Sequence, residues 1–268
     1  MTVSFLDSSQ KNPAPIVAVN RVNLSVKENA ITALVGESGS GKSVTALSIC
    51  RLVQPRDLSG EILYTSRDGR RLDLLRLTPE ELRGIRGKEI AYVFQDPSAS
   101  LNPLVRVGRQ IREAYAAHFD VTTAEAGDRV FRSVEAVKIR DAERVCLSYP
   151  HELSGGMKQR ALIAMALISE PRVLIADEPT TALDAITESE IMRLLAEIQR
   201  ERKLTILFIT HNLPLAASMA ESIVVMEKGR VVESIQKEAR GFHPRENYTK
   251  KLFGAGLDNL APKSVIPT

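Results

Sequence analysis

The chain has 268 residues, room for one large domain or for a domain with a subdomain. Apolar content of 44% and charged content of 26% are those of an ordinary globular protein, and a net charge of +3 is too small to argue for a nucleic-acid partner by itself. Cys50 and Cys146 make no metal or redox spacing, which points to a reducing cytosol, and neither a secretory signal nor an apolar run of roughly eighteen residues that would span a membrane is expected.

Strand alternation opens the chain at Ile16-Val17-Ala18-Val19 and again at Val22-Asn23-Leu24-Ser25-Val26. In the tight turn Lys27-Glu28-Asn29-Ala30, Asn29 is placed for left-handed backbone. The apolar run over residues 30–35 predicts a buried strand, and residues 44–52 predict a helix. Between them stands Gly36-Glu37-Ser38-Gly39-Ser40-Gly41-Lys42-Ser43, the pattern G-x-x-x-x-G-K-S in its proper strand–loop–helix setting. The glycines let the backbone wrap phosphate oxygens with its N–H groups pointing inward, and the helix N-terminus adds partial positive charge there. Lys42 is placed to reach the β- and γ-phosphates and the Ser43 hydroxyl to ligate Mg²⁺.

A hairpin is predicted from Gly60-Glu61-Ile62-Leu63-Tyr64 and Arg71-Leu72-Asp73-Leu74 around Asp68-Gly69. Thr78-Pro79-Glu80-Glu81 starts a helix, with Pro at its first position. A short apolar strand follows at Ile90-Ala91-Tyr92-Val93-Phe94. Residues 104–149 carry helical stripes, Val107, Ile111 and Tyr115 in one and Val130, Val134 and Val137 in another, and read as a helical insertion. Strands return at residues 173–176, 205–209 and 222–226, separated by helices such as residues 187–202 with Ile191, Leu194, Leu195 and Ile198 on one face. Apolar strands alternating with helices predict a parallel sheet covered on both faces. The tail after about residue 255 reads as loose.

In such a sheet, ligands sit at the carboxyl ends of the strands. Asp177 ends one strand and is a candidate to hold Mg²⁺, while the adjacent Glu178 is a candidate to polarise a water against the γ-phosphate. Gln95 ends another strand, either as a ligand of Mg²⁺ or of the attacking water or as a polar exit from the strand. His211 follows a third, either structural or bonded to the γ-phosphate. Ser154-Gly155-Gly156 precedes a helix over residues 158–168, and two readings stand level: a second anion site at a helix start, or Ser154 as a plain N-cap.

The set Gly36 to Ser43, Gln95, Leu153-Ser154-Gly155-Gly156-Met157-Lys158-Gln159-Arg160, Val173 to Glu178, Ala182-Leu183-Asp184 and His211 resembles the nucleotide-binding subunits of ABC transporters over roughly residues 3–234. Leu-Ser-Gly-Gly is that family's signature. The resemblance implies that Ser154, Gly155 and Gly156 contact the γ-phosphate of ATP held on a second subunit's phosphate loop. Val44 would join the loop's own phosphate contacts, Asp184 would lie at the subunit interface, and Phe5 would stack on adenine. Phe94-Gln95-Asp96-Pro97, Ser100-Leu101-Asn102-Pro103, Asp177-Glu178-Pro179-Thr180-Thr181 and a late His243-Pro244 with Tyr248-Thr249-Lys250-Lys251-Leu252 look like the oligopeptide/dipeptide/nickel importers. The chain departs from the family at Asn29, where a Gly is usual, at Asn212, where an Asp is typical, and at a first strand expected to be mostly missing. Some relatives carry a cysteine cluster for an iron–sulfur centre in the tail; this tail has no Cys, so none is expected.

The expectation is an α/β fold: a P-loop NTPase, RecA-like core with an N-terminal antiparallel β-subdomain and a helical signature-motif subdomain near residues 98–158. Residues 1–234 form the cassette and 235–268 a C-terminal tail. The resemblance implies an ATPase using ATP and Mg²⁺, peripheral on the cytoplasmic face of the inner membrane. It would pair with a second ATP-binding subunit, transmembrane permease subunits and, indirectly, an extracytoplasmic solute-binding protein, with no nucleic acid. Peptides lead as the solute, with nickel, opines and glycosides open. The rival is a soluble ATPase of the same superfamily acting on DNA or ribosomes; those usually carry two cassettes, a coiled coil or a zinc module, and this chain has one cassette and no heptad run.

Overall fold

A computed structural model of the chain describes residues 1–6, 15–181 and 183–257. The expected looseness of the last residues and the motif residue Ala182 lie outside them in whole or part. The first third holds β1 (Thr2–Leu6), β2 (Pro15–Val19), β3 (Ile31–Val35), α1 (Lys42–Ile49), β4 (Asp57–Ser59), β5 (Leu63–Thr65), β6 (Arg71–Asp73), α2 (Pro79–Ile85) and β7 (Ile90–Val93). Helices α3 (Pro97–Ser100), α4 (Val107–Ala116), α5 (Thr123–Ala136), α6 (Ala142–Leu147) and α7 (Gly155–Leu167) follow. Then come β8 (Val173–Asp177), α8 (Ala185–Arg202), β9 (Thr205–Thr210), α9 (Leu213–Met219), β10 (Ser222–Glu227), β11 (Arg230–Gln236) and α10 (Asn247–Leu257).

The central sheet runs β11-β10-β3-β9-β8-β7. All its neighbours are parallel except the β10–β11 pair. Every residue of β3 and of β9 is buried, as continuous apolar runs covered on both faces must be. Phe208 on β9 is 1% exposed. Burying such a side chain contributes about 1.5–3 kcal/mol. The register Ile90↔Val173, Val173↔Thr205 and Ile31↔Ile206 keeps the carboxyl ends of β7, β8, β9 and β3 along one edge. That edge carries the site.

In the two predicted stripes of the helical insertion Val107, Ile111, Val130, Val134 and Val137 are buried and Tyr115 is half-buried, and α4 to α7 pack around them. Helix α2 starts as its sequence demands, with Glu81 N donating to Thr78 Oγ1 at 3.3 Å and Thr78 N donating to Glu81 Oε2 at 2.8 Å. Asn29 takes φ 55°, and Gln199 Nε2 and Thr205 Oγ1 hold its backbone carbonyl and amide at 2.8 and 2.9 Å.

Four differences from expectation have local causes. Residues 22–26 keep the alternation of a strand, with Val22 buried and Asn23 and Ser25 exposed, but join no ladder. Met1 pairs with Val22 through both its N and O; beyond that, a cleft of about 890 Å³ separates the segment from Ile62, Leu63 and Tyr64. Strand β1, expected mostly missing, forms and pairs with both β2 and the three-residue β4, which was too short and polar to signal itself. Helix α1 spans Lys42–Ile49 instead of residues 44–52. Helix α7 begins at Gly155 instead of residue 158, because Ser154 caps it by accepting from Met157 N at 3.3 Å. Among the described residues, no helix is long and apolar enough to cross a membrane.

Candidate functional site

Strand β3 delivers the chain to Gly36, and the loop then folds over its own lysine. Lys42 Nζ donates to Gly36 O at 2.9 Å and to Glu37 O at 2.8 Å, with Ser40 Oγ at 3.5 Å. The side chain is buried, and burial draws its pKa below the usual lysine range against the opposing pull of the Glu178 and Asp177 carboxylates. The glycines are needed for space. A Cβ on Gly36 would lie 2.2 Å from Met226 O, and one on Gly41, at φ 97°, 2.6 Å from Ala18 O. The turn after β10 braces the loop from below, Gly229 N donating to Ser40 O at 3.0 Å. Glu37, Ser38 and Gly39 face solvent. Lys42, Ser43 and Val44 form the first turn of α1, whose amides have no partner within the helix. The result is a buried cation beneath unspent N–H donors, suited to a polyphosphate.

Beside the loop, Ser43 Oγ donates to Asp177 Oδ1 at 3.0 Å, and Tyr92 OH donates to Asp177 Oδ2 at 2.8 Å. Burial raises the Asp177 pKa, and the Tyr92 and Ser43 hydrogen bonds work against that. The Ser43 hydroxyl, the Asp177 carboxylate and the Gln95 amide offer hard oxygen atoms, the donor set that Mg²⁺ selects.

Glu178 leaves β8 with φ 43°, a left-handed angle that costs a non-glycine residue about 1–3 kcal/mol. That angle turns its carboxylate to a different set of neighbours from those of Asp177. Its Oε2 accepts from Thr181 Oγ1 at 2.9 Å, lies 3.1 Å from His211 Nδ1, and is reached by Gln95 Nε2 at 3.4 Å. Four strand ends are thereby joined: β7 through Gln95, β8 through Asp177 and Glu178, β9 through His211, and β3 through the phosphate loop. Gln95 and His211 both stand at this edge, each within reach of the Glu178 carboxylate.

Ser154, Gly155 and Gly156 are not brought there; among the described residues no hydrogen bond links them to residues 36–44. Gly156 has a packing reason of its own, since a Cβ would lie 2.6 Å from Thr187 Cγ2. Asp184 caps α8 through Ile186 N at 3.1 Å and Thr187 N at 3.0 Å. Asn212, where an Asp was the norm, still caps α9 through Leu215 N at 3.1 Å. Phe5 stands opposite Ile16 and packs, partly buried, on the same apolar cluster as Val44. Tyr92 and Thr181 escaped sequence reading. A tyrosine inside an otherwise apolar strand was the available signal for the first, because a buried phenol needs a partner; Thr181 had none beyond its distance from Glu178.

Residues 19–181 match the family described as ABC transporter. The chain is 47% identical over 242 residues to a Brucella ovis protein named a peptide import ATP-binding protein, covering 89% of this chain and 71% of the other. A Sinorhizobium fredii peptide ABC transporter ATP-binding protein is 43% identical over 244 residues, covering 90% and 71%. Among solved structures, the dimeric ATP-binding cassette MJ0796 in a post-hydrolysis state with ADP and Pi superposes with a TM-score of 0.74 at 30% identity, covering 87% of this chain and 96% of that one.

Proposed function

The chain belongs to the ABC transporter family and is an ATPase, and from that premise we propose that it energises import of di- or oligopeptides through separate membrane permease subunits. The observation that carries the ATPase half is the meeting of Lys42, Ser43, Asp177, Glu178, Gln95 and His211 at one edge of the sheet. The solute half is supported by the relatives' names.

In this reading Lys42 and the loop amides of Gly36 to Val44 bind the phosphates, and Phe5 stacks on the base. Ser43, Asp177 and Gln95 would hold Mg²⁺, which neutralises phosphate charge when bound. Glu178 accepts a proton from the attacking water, and His211 orients the Glu178 carboxylate and the γ-phosphate. Ser154, Gly155 and Gly156 serve the nucleotide of a second cassette. Residues 1–234 act as the cassette, with the helical subdomain near 98–158 and a tail from 235. The protein sits peripherally on the cytoplasmic face of the membrane. The helical insertion supports a permease-docking role: Leu104 is 84% exposed and Leu147 56% exposed, two large apolar side chains facing water.

The test is reconstitution of the full chain with its permease subunits, partner ATPase and binding protein in proteoliposomes. Accumulation of a labelled tripeptide that requires ATP is expected. Uptake of nickel or glycoside in place of peptide would overturn the solute half. ATP hydrolysis by the chain without any stimulation by permease would overturn the transport half.

A further inference from the structure

The left-handed angle at Glu178, φ 43°, is one that a residue with a side chain keeps only where its surroundings hold it there. On the strand side the hold is firm, since Glu178 N donates to Ile209 O at 3.0 Å. On the far side the chain turns through Pro179, Thr180 and Thr181. Pro179 supplies no N–H, and the turn's own backbone bonds are Thr181 N to Glu178 O at 3.3 Å and Leu183 N to Thr180 O at 3.0 Å. The Thr181 hydroxyl is the part of this turn that meets the Glu178 carboxylate, at 2.9 Å.

Thr180 has a different partner. It is 6% exposed, and its Oγ1 donates to Glu188 Oε1 at 2.8 Å. Glu188 is half-buried and stands one turn into α8, its N–H donating to Asp184 O at 2.8 Å. Its carboxylate reaches back out of the helix to a residue eight positions earlier in the chain. Helix α8 is a firm post for that reach. Ile191, Leu194, Leu195 and Ile198 seat it in the main core, and Arg160 of α7 donates to Glu190 Oε2 at 3.0 Å. Thr180 and Thr181 are consecutive, so the bond that fixes the first fixes the peptide that carries the second.

We infer that Glu188 is a positioning residue for ATP hydrolysis: by tying Thr180 to α8 it fixes the turn at residues 178–181, and with it the Thr181 hydroxyl and the orientation of the Glu178 carboxylate. The inference rests on the reading of Glu178 as the group that takes the water's proton, and adds to it a residue outside every nucleotide motif. Among the described residues no hydrogen bond joins the Glu188 side chain to residues 36–44, Gln95 or His211, so its loss acts on turnover and spares nucleotide binding.

The experiment compares wild type, Glu188→Ala, Glu188→Gln, Thr180→Val and Glu178→Gln in the full chain at a fixed protein concentration. Glu188→Ala is also combined with Thr180→Val and with Glu178→Gln, and each protein is measured for kcat, KM for ATP and affinity for a fluorescent ATP analogue. Loss of one hydrogen bond predicts that Glu188→Ala and Thr180→Val lower kcat about three- to tenfold, with KM and analogue affinity within about twofold of wild type. Glu188→Gln keeps an oxygen acceptor and should hold kcat within about twofold of wild type. Glu188→Ala should add almost nothing in the Thr180→Val background, because both changes break the same contact, and almost nothing in the Glu178→Gln background, because it acts through that carboxylate. Wild-type kcat in Glu188→Ala, or a loss that Glu188→Gln does not avoid, overturns the proposal. Full additivity in either double variant does so too, as does a parallel loss of nucleotide affinity, which marks a merely structural glutamate. Near-normal turnover of Glu178→Gln itself would instead sink the reading beneath it, so the two failures are distinct.

Discussion

At Glu178 a left-handed backbone and three polar neighbours meet on one side chain. Thr181, Gln95 and His211 all address Oε2. Glu178→Gln keeps the shape and removes the basic oxygen. Turnover should fall by about 10² or more while ATP binding persists, as single-turnover and binding measurements on one sample would show; near-normal turnover would refute the role. The places of Lys42, Ser43 and Asp177 could be read from sequence because they follow from spacing along one strand and one loop. Thr181 and Tyr92 could not. What they touch is set by the backbone angle of Glu178 and by the register of β7 on β8, and neither is written in local pattern.

Among the elements, the C-terminal helix depends on a titratable anchor. Burial by itself would raise the Glu233 carboxyl, but the Thr249 hydroxyl beside it and the backbone N–H groups of Arg245 and Glu246 outweigh burial and hold it below the usual glutamate range. A depressed folded pKa means the stabilisation is complete above the unfolded value of about 4.3 and is lost as pH falls through the folded value. Amide exchange in α10 should therefore accelerate below about pH 4 while β3 and β9 stay protected, and Glu233→Gln should show the fast exchange at neutral pH. Equal protection of α10 in both proteins would contradict this. Element legibility divides along similar lines. The buried strands of the central sheet and the helical insertion announce themselves by apolar period, and α2 by its capping box. Residues 22–26 carried a strand's alternation but find a backbone partner only at Val22, which pairs with Met1, and β4 is a strand only because β1 lies beside it.

For the whole molecule, no hydrogen bond among the described residues joins the glycines at the start of α7 to the phosphate loop of the same chain, and the proposed reading assigns them to a nucleotide held by another copy or a partner cassette. Turnover per molecule in the isolated chain should rise with concentration, and Gly155→Asp, which puts a carboxylate where phosphate oxygens would approach, should bind ATP yet fail to dimerise. Sedimentation and turnover measured across a dilution series decide it; a dilution-independent rate would remove the second cassette from the mechanism.

Strand β3, which leads into the phosphate loop, is flanked by β9 and β10, in register Ile31↔Ile206 and Ser222↔Thr32. A nascent chain thus presents its most conspicuous ligand motif early and owns no sheet in which to seat it until residues 205–227 have left the ribosome. Nucleotide cannot template the first steps of folding; it can only reward the last one. The early, apolar β3 must wait unpaired through most of synthesis, so a pause or truncation ahead of residue 205 would leave a protein that displays the full loop sequence and binds nothing.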